Sequence, residues 1–272
     1  MKYLFSLLII SLSAAGCTTA RHSSKENDGL NYLILNPAIR FLDFDPLGNL
    51  YILDETDRVS KYDTTGKLLF HVVNNNLGEA HSIDVGNPFK TMVFYRDQQT
   101  ILLYDRTLSE IQRIRLAEWK LHDITAACLS PDNALWMFDG TNRVLIKSGD
   151  DGNALLTSDP FDIIAPASVR PDFIYDLDHF LLLKETSHPV SVFDDFGKFI
   201  YNVEIPVEEF FSVSSPFVIT GTGNEIQMYD IAERKFLTPV LVKTNVENNR
   251  IYKSGNKYYA TDGKGIYILT EI

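Results

Sequence analysis

Eight side chains are candidates for a shared ligand site: Arg40, His81, His122, Asp123, Arg170, Asp172, Glu209 and Arg250. Each stands just ahead of a short apolar run, with Ser82, Glu208 and Asn249 beside them. Three guanidinium groups converging on one place would suit an anion or an acidic side chain of a partner, because each offers a planar fork of donors. The same cations oppose a divalent metal. Calcium takes about six to eight oxygen ligands, and nearby positive charge repels it.

Other polar patterns read as structure. Asp43-Phe44-Asp45 and the run Gly149-Asp150-Asp151-Gly152-Asn153 are acidic, but neither has EF-hand spacing. Both read as hairpin turns, where Asp and Gly serve the backbone. Gly221-Thr222-Gly223 has no helix after it, so it reads as a turn and not as a dinucleotide cradle. The six histidines, at 22, 71, 81, 122, 179 and 188, show no paired metal-ligand spacing, and no serine sits in a nucleophile elbow. Cys128, within Ala126-Ala127-Cys128-Leu129, reads as a buried, inert thiol. No catalytic residue, metal or cofactor is assigned.

The elements that must position these groups come from a repeat. Phe44-Asp45-Pro46-Leu47-Gly48-Asn49-Leu50-Tyr51-Ile52-Leu53-Asp54 leads into Arg58-Val59, and Leu129-Ser130-Pro131-Asp132-Asn133-Ala134-Leu135-Trp136-Met137-Phe138-Asp139 leads into Arg143-Val144. Between them lies Asn87-Pro88-Phe89, then Met92 to Tyr95, then Asp97. Each copy reads as strand, turn, strand, turn, strand. The period is about 42 residues, which in short strands points to a β-propeller. The Asp54/Arg58 and Asp139/Arg143 recurrences read as pairs that brace a turn in each blade.

Six blades follow, starting near Ile39, His81, Asp123, Arg170, Phe210 and Arg250. The last holds three strands where a blade has four. Asn31 to Asn36 is a lone strand that can supply the fourth, so the ring closes by pairing the N-terminal strand with the C-terminal blade. Closure removes exposed strand edges. The expected fold is therefore all-β: a six-bladed β-propeller of four-stranded blades over residues 31–272. No long amphipathic helix is expected, and Glu110 to Glu118 reads mainly as strand and loop.

Residues 1–16 have the pattern of a cleaved signal peptide. Lys2 is followed by a short apolar core from Leu4 to Leu12, then Ser13-Ala14-Ala15-Gly16. That core is far short of the roughly 20 residues needed to span a bilayer. Residues 17–30 are polar and read as a tether. Small residues directly before Cys17 resemble the bacterial lipobox, which implies lipidation of Cys17. Thr18 after it departs from inner-membrane retention, so the resemblance implies an outer-membrane lipoprotein, periplasmic or surface-exposed. The Gly48 to Asp54 run, Arg58-Val59 and Tyr62-Asp63…Gly66-Lys67 resemble six-bladed propellers of the NHL-repeat and TolB-like kind. That family includes scaffolds, ligand binders and a minority of enzymes.

The chain carries 25 basic and 36 acidic residues, a net charge of −11, which disfavours nucleic acid and anionic lipid. Membrane contact is expected through the lipid anchor only. The function expected is a non-catalytic binding or scaffold module for an envelope protein partner. The alternative is a small-ligand-binding or lactonase-like hydrolytic propeller with a site at the central channel mouth.

Overall fold

A computed structural model describes residues 32–35, 38–164, 170–177, 179–185, 189–204, 210–222, 224–243, 250–262 and 265–271. Cys17, Glu209, the expected signal segment and the tether lie outside these residues.

The chain folds into antiparallel hairpins laid down in sequence order. The first sheet follows β1 (Tyr32–Leu35) in the chain and holds β2 (Ile39–Phe44), β3 (Leu50–Asp54), β4 (Arg58–Tyr62) and β5 (Leu68–Val73). The second holds β6 (Ser82–Asn87), β7 (Lys90–Tyr95), β8 (Thr100–Asp105) and β9 (Glu110–Arg115). The third holds β10 (Ile124–Leu129), β11 (Leu135–Asp139), β12 (Val144–Ser148) and β13 (Ala154–Thr157). The fourth holds β14 (Phe173–Asp176), β15 (Phe180–Lys184), β16 (Val190–Asp194) and β17 (Phe199–Val203). These spans match the first four repeats. A nine-stranded sheet takes the rest: β18 (Phe210–Ser214), β19 (Phe217–Thr222), β20 (Glu225–Asp230), β21 (Lys235–Phe236), β22 (Val240–Lys243), β23 (Arg250–Ser254), β24 (Lys257–Thr261), β25 (Gly265–Glu271) and β1 (Tyr32–Leu35). Its two parts meet where β22 pairs with β25. The stretch at 110–119 is β9 followed by one 3-10 turn, Leu116–Trp119. A single helical turn at Phe161–Ile164 is an element the sequence did not announce.

Turn chemistry explains the hairpins. Asp63 Oδ1 accepts the amides of Thr65 and Lys67, at 2.8 and 3.0 Å. Asp105 does the same for Thr107 and Ser109, and Asp194 for Phe196 and Lys198. The fourth turn residue then needs positive φ, which Gly66 (84°) and Gly197 (77°) adopt freely. The expected Asp–Arg braces are different in kind. Asp54 accepts the amides of Thr56 and Arg58 at its own turn, and Arg143 reaches Asp162 at 2.7 Å. Local amides are the nearer donors, so the carboxylate serves the backbone first.

Apolar side chains fill the seams between successive sheets. Tyr51 and Leu53 meet Val93 and Tyr95, Phe94 and Ile101 meet Leu135 and Met137, and Phe138 meets Leu181 and Phe193. Leu182 and Val192 of the fourth sheet meet Val218 of the nine-stranded sheet. Leu42 and Ile52 of the first sheet meet Tyr259 and Ile266 at the other end of that sheet.

The N-terminal strand pairs antiparallel with β25, placing Leu35 opposite Gly265 and Tyr32 opposite Tyr267. The Tyr32 hydroxyl donates to Asp262 at 2.5 Å. A Cβ at Gly265 would strike the Ile34 carbonyl, a backbone atom that cannot swing away. Gly265→Ala should therefore destabilise the protein by about 1–3 kcal/mol, as overpacking usually does. Thermal denaturation against wild type checks this, and an unchanged Tm would show that β1 does not clamp β25.

Candidate functional site

The first strand of each repeat, β2, β6, β10, β14, β18 and β23, lines a central cavity of about 850 Å³. Strands β2 and β6, β10 and β14, and β18 and β23 lie side by side around it. Its walls are mixed. Phe41, Phe173, Phe211, Tyr175 and Tyr252 supply aromatic surface, and Asp43, Asp84 and Asp176 supply carboxylates.

Of the groups singled out in the sequence, Arg40 and Arg250 border the cavity, and several of the others are engaged in pairs outside its lining. Arg40 binds Asp57 at 2.5 Å and Glu79 at 2.8 Å. Arg250 donates to the Arg40 carbonyl at 3.3 Å, and both arginines border the cavity. Arg170 binds Asp123 at 3.0 Å and reaches the Gly140 carbonyl. Asp172 binds Arg96 at 3.2 Å, and its carbonyl meets His81 Nε2 at 2.8 Å. The His81 ring stacks on Phe173 at 5.2 Å, and burial lowers its pKa against the opposing effect of that carbonyl. His122 is exposed. The arginines are thus not gathered on one ligand position, and Arg40, Arg170 and Arg96 already have carboxylate partners.

The interior carboxylates are the feature the sequence reading missed. Asp43 was assigned to a turn with Asp45, and only Asp45 belongs there. Asp45 Oδ1 accepts the amides of Leu47 and Asn49, at 3.0 and 2.9 Å, and its other oxygen lies 3.7 Å from Lys61 Nζ. Asp43 sits on β2, one residue before the turn-facing Phe44, and borders the cavity. Burial raises its pKa to about 7, opposed by the Phe44 amide and increased by the charges of Asp84 and Asp45. Asp84 is raised by burial too, opposed by the amides of Gly86 and Leu129 at 2.8 and 2.7 Å, and increased by Asp176. Its bond to Leu129 joins β6 to β10 across the channel wall. Burial pushes both Tyr175 and Tyr252 above the ordinary phenol range, and Asp43 contributes to each. Cys128 is buried, and burial followed by Asp84 and Asp176 raises its thiol. It is an inert core thiol, as its apolar surroundings predicted.

A signal for these acids was present. Ser82-Ile83-Asp84-Val85 and Phe173-Ile174-Tyr175-Asp176 each place a carboxylate inside an apolar run at the start of a repeat. An Asp within an apolar strand is unfavourable unless its carboxyl finds amide donors, as Asp84 does at Gly86 and Leu129, or faces water or a ligand.

Comparison with known proteins gives fold and not family. No family model and no curated protein matches the chain. Among solved structures, a streptogramin B lyase is 13% identical, covers 89% of this chain and 85% of its own, and superposes with a TM-score of 0.57. The virginiamycin B lyase of Staphylococcus aureus is 13% identical over 89% and 86%, with a TM-score of 0.55. A Bacteroides caccae protein of unknown function is 14% identical over 88% of each chain, with a TM-score of 0.51. Likeness at this level is a likeness of architecture, and the architecture is an all-β propeller.

The sign of the Asp43 effect is testable. Its native pKa, about 7, lies above the ordinary 3.8, so the folded state holds the proton more tightly than the unfolded state. That contribution is complete below the unfolded value and is lost as pH rises toward 7. Asp43→Asn mimics the protonated form. Its Tm should match wild type near pH 4 and exceed it at pH 8. A variant less stable at pH 8 would show that the ionised carboxylate is favoured in place.

Proposed function

We propose that this protein is a lipid-anchored envelope propeller of six blades whose central channel binds a small ligand. The nine-stranded sheet divides naturally into β18 to β22 and β23 to β25 with β1, which supports two further blades beside the four separate sheets. The seams at its two ends support the same count, since one faces the fourth sheet and the other the first. Residues 1–16 serve as the signal, Cys17 carries the lipid, residues 17–30 form the tether, and the outer membrane is the favoured location. These assignments rest on the Ser13 to Cys17 pattern.

The observation that carries the binding reading is the cavity itself. About 850 Å³ of space, with aromatic walls and a few polar groups, is the size and make-up of a small-molecule site. Arg40 and Arg250 border it. A second reading, docking of an envelope protein, is favoured by one feature. Leu47 and Phe89, at matching turns of the first two sheets, are 64% and 66% exposed beside the cavity-lining Pro46 and Pro88.

Filling the channel separates the two. Ser214 borders the cavity on β18, and Ser214→Trp would occupy it. In a thermal-shift screen of neutral, anionic and cationic compounds, wild type should be stabilised in a saturable way by at least one. Ser214→Trp should keep its fold and lose that response. Stabilisation that persists in the variant would move binding out of the channel and leave the exposed face as the functional surface.

A further inference from the structure

The cavity's chemistry narrows what it would accept. Asp43 on β2 and Asp84 on β6 stand on neighbouring strands and act on each other as like charges. Asp176 on β14 adds to Asp84, and Asp45 adds to Asp43. The basic groups that border the cavity are engaged at its ends. Arg40 is held by Asp57 and Glu79, Lys184 donates to the Glu185 carbonyl, and Lys253 donates to the Gly255 carbonyl at 2.6 Å. Arg250 reaches the Arg40 carbonyl and also acts on Tyr252. The channel wall therefore carries carboxyl groups whose protons a cationic group could displace.

Aromatic faces surround those acids. Tyr175 packs on Phe211 at 5.7 Å, and Phe41 meets Phe173 edge-on at 5.8 Å. Aromatic rings attract weakly hydrated organic cations, whereas a small hard cation needs a shell of oxygens. Among the described residues no group of three or more His, Cys, Asp or Glu is arranged to hold a metal ion. The space is also far larger than an ion.

We propose that the channel takes a ligand bearing an organic ammonium group on an apolar body, with the ammonium set between Asp43 and Asp84. This rests on the reading of the channel as a ligand site. Binding would favour the ionised form of Asp43 and displace its proton, so affinity should rise with pH. With a native pKa of about 7, its ionised fraction grows about tenfold from pH 6 to pH 8.

Calorimetric titration with 4-phenylbutylamine and its uncharged counterpart 4-phenylbutanol tests the proposal. At pH 8 the amine should bind at least about tenfold more tightly, the lower end of what a close charge pair at a binding site is worth. Asp43→Asn and Asp84→Asn should each erase most of that preference while leaving the alcohol unaffected, which also shows that the variants are folded. The amine's affinity should fall about tenfold at pH 6 in wild type and stay nearly level in Asp43→Asn. Equal affinity for amine and alcohol, both abolished by Ser214→Trp, would overturn the cationic class and leave the channel a binding site. Binding of neither compound, or a preference that survives in the double Asn variant, would overturn the proposal as well.

Discussion

Trp136, Phe138 and Leu145 of the third sheet press against Ile174, Leu181 and Phe193 of the fourth, with Phe161 inserted at the seam. Phe161 stacks on Phe193 at 4.8 Å and meets Phe138 edge-on at 4.9 Å. Such face-to-face contacts carry the structure, because each four-stranded sheet has two faces to bury and no helix to cover them. Burying a large side chain of this kind is worth about 1.5–3 kcal/mol. Each sheet is therefore held by both neighbours, and the series has to return on itself. It does so where Leu42 and Ile52 meet Tyr259 and Ile266.

That constraint creates the channel. Twisted sheets packed in series bring their first strands toward a common axis, and those strands cannot all touch. The inner edge is the one place where a residue is enclosed without being packed. Asp43 and Asp84 are tolerated there because they face space, yet desolvation still raises their pKa values. A sequence selected for stability alone would place Ser, Thr or an apolar residue at these points. Groups that cost stability at a shared cavity mark a place where local consistency has been given up.

The repeat was legible because turn chemistry is local. Pro46-Leu47-Gly48 and Thr64-Thr65-Gly66 state their geometry within five residues, and Asp63 finds its amide partners two and four positions on. The buried runs such as Leu50 to Leu53 announce a strand enclosed on both faces. Asp43 was hidden by its neighbour: two residues from a strong turn, it was read with Asp45 as one acidic cluster. Nothing nearby says that β2 keeps its pleat through Phe44 and aims Asp43 inward. The approach of Asp84 to Asp43, and of Asp176 to Asp84, joins residues 41 to 92 positions apart, a relation that only the ring supplies. Arg40 lies within β2, and Arg250 opens β23. The arginines' partners, Asp57 and Glu79 for Arg40 and Asp123 for Arg170, lie on separate loops.

Those ion pairs also shape the field inside. An arginine neutralised by two carboxylates contributes little potential a few residues down the strand, and exposed pairs are screened further by salt. The carboxylates in the channel are half-buried and act on one another over a lower dielectric than bulk water. Rim and interior therefore differ in kind, although both contain acids and bases. At the rim, charge is spent on fixing loops to their neighbours, as Arg170 does between Asp123 and Gly140. In the interior, carboxyl groups answered by backbone amides stand beside aromatic walls, and a visiting cation is a partner that would favour their ionised form.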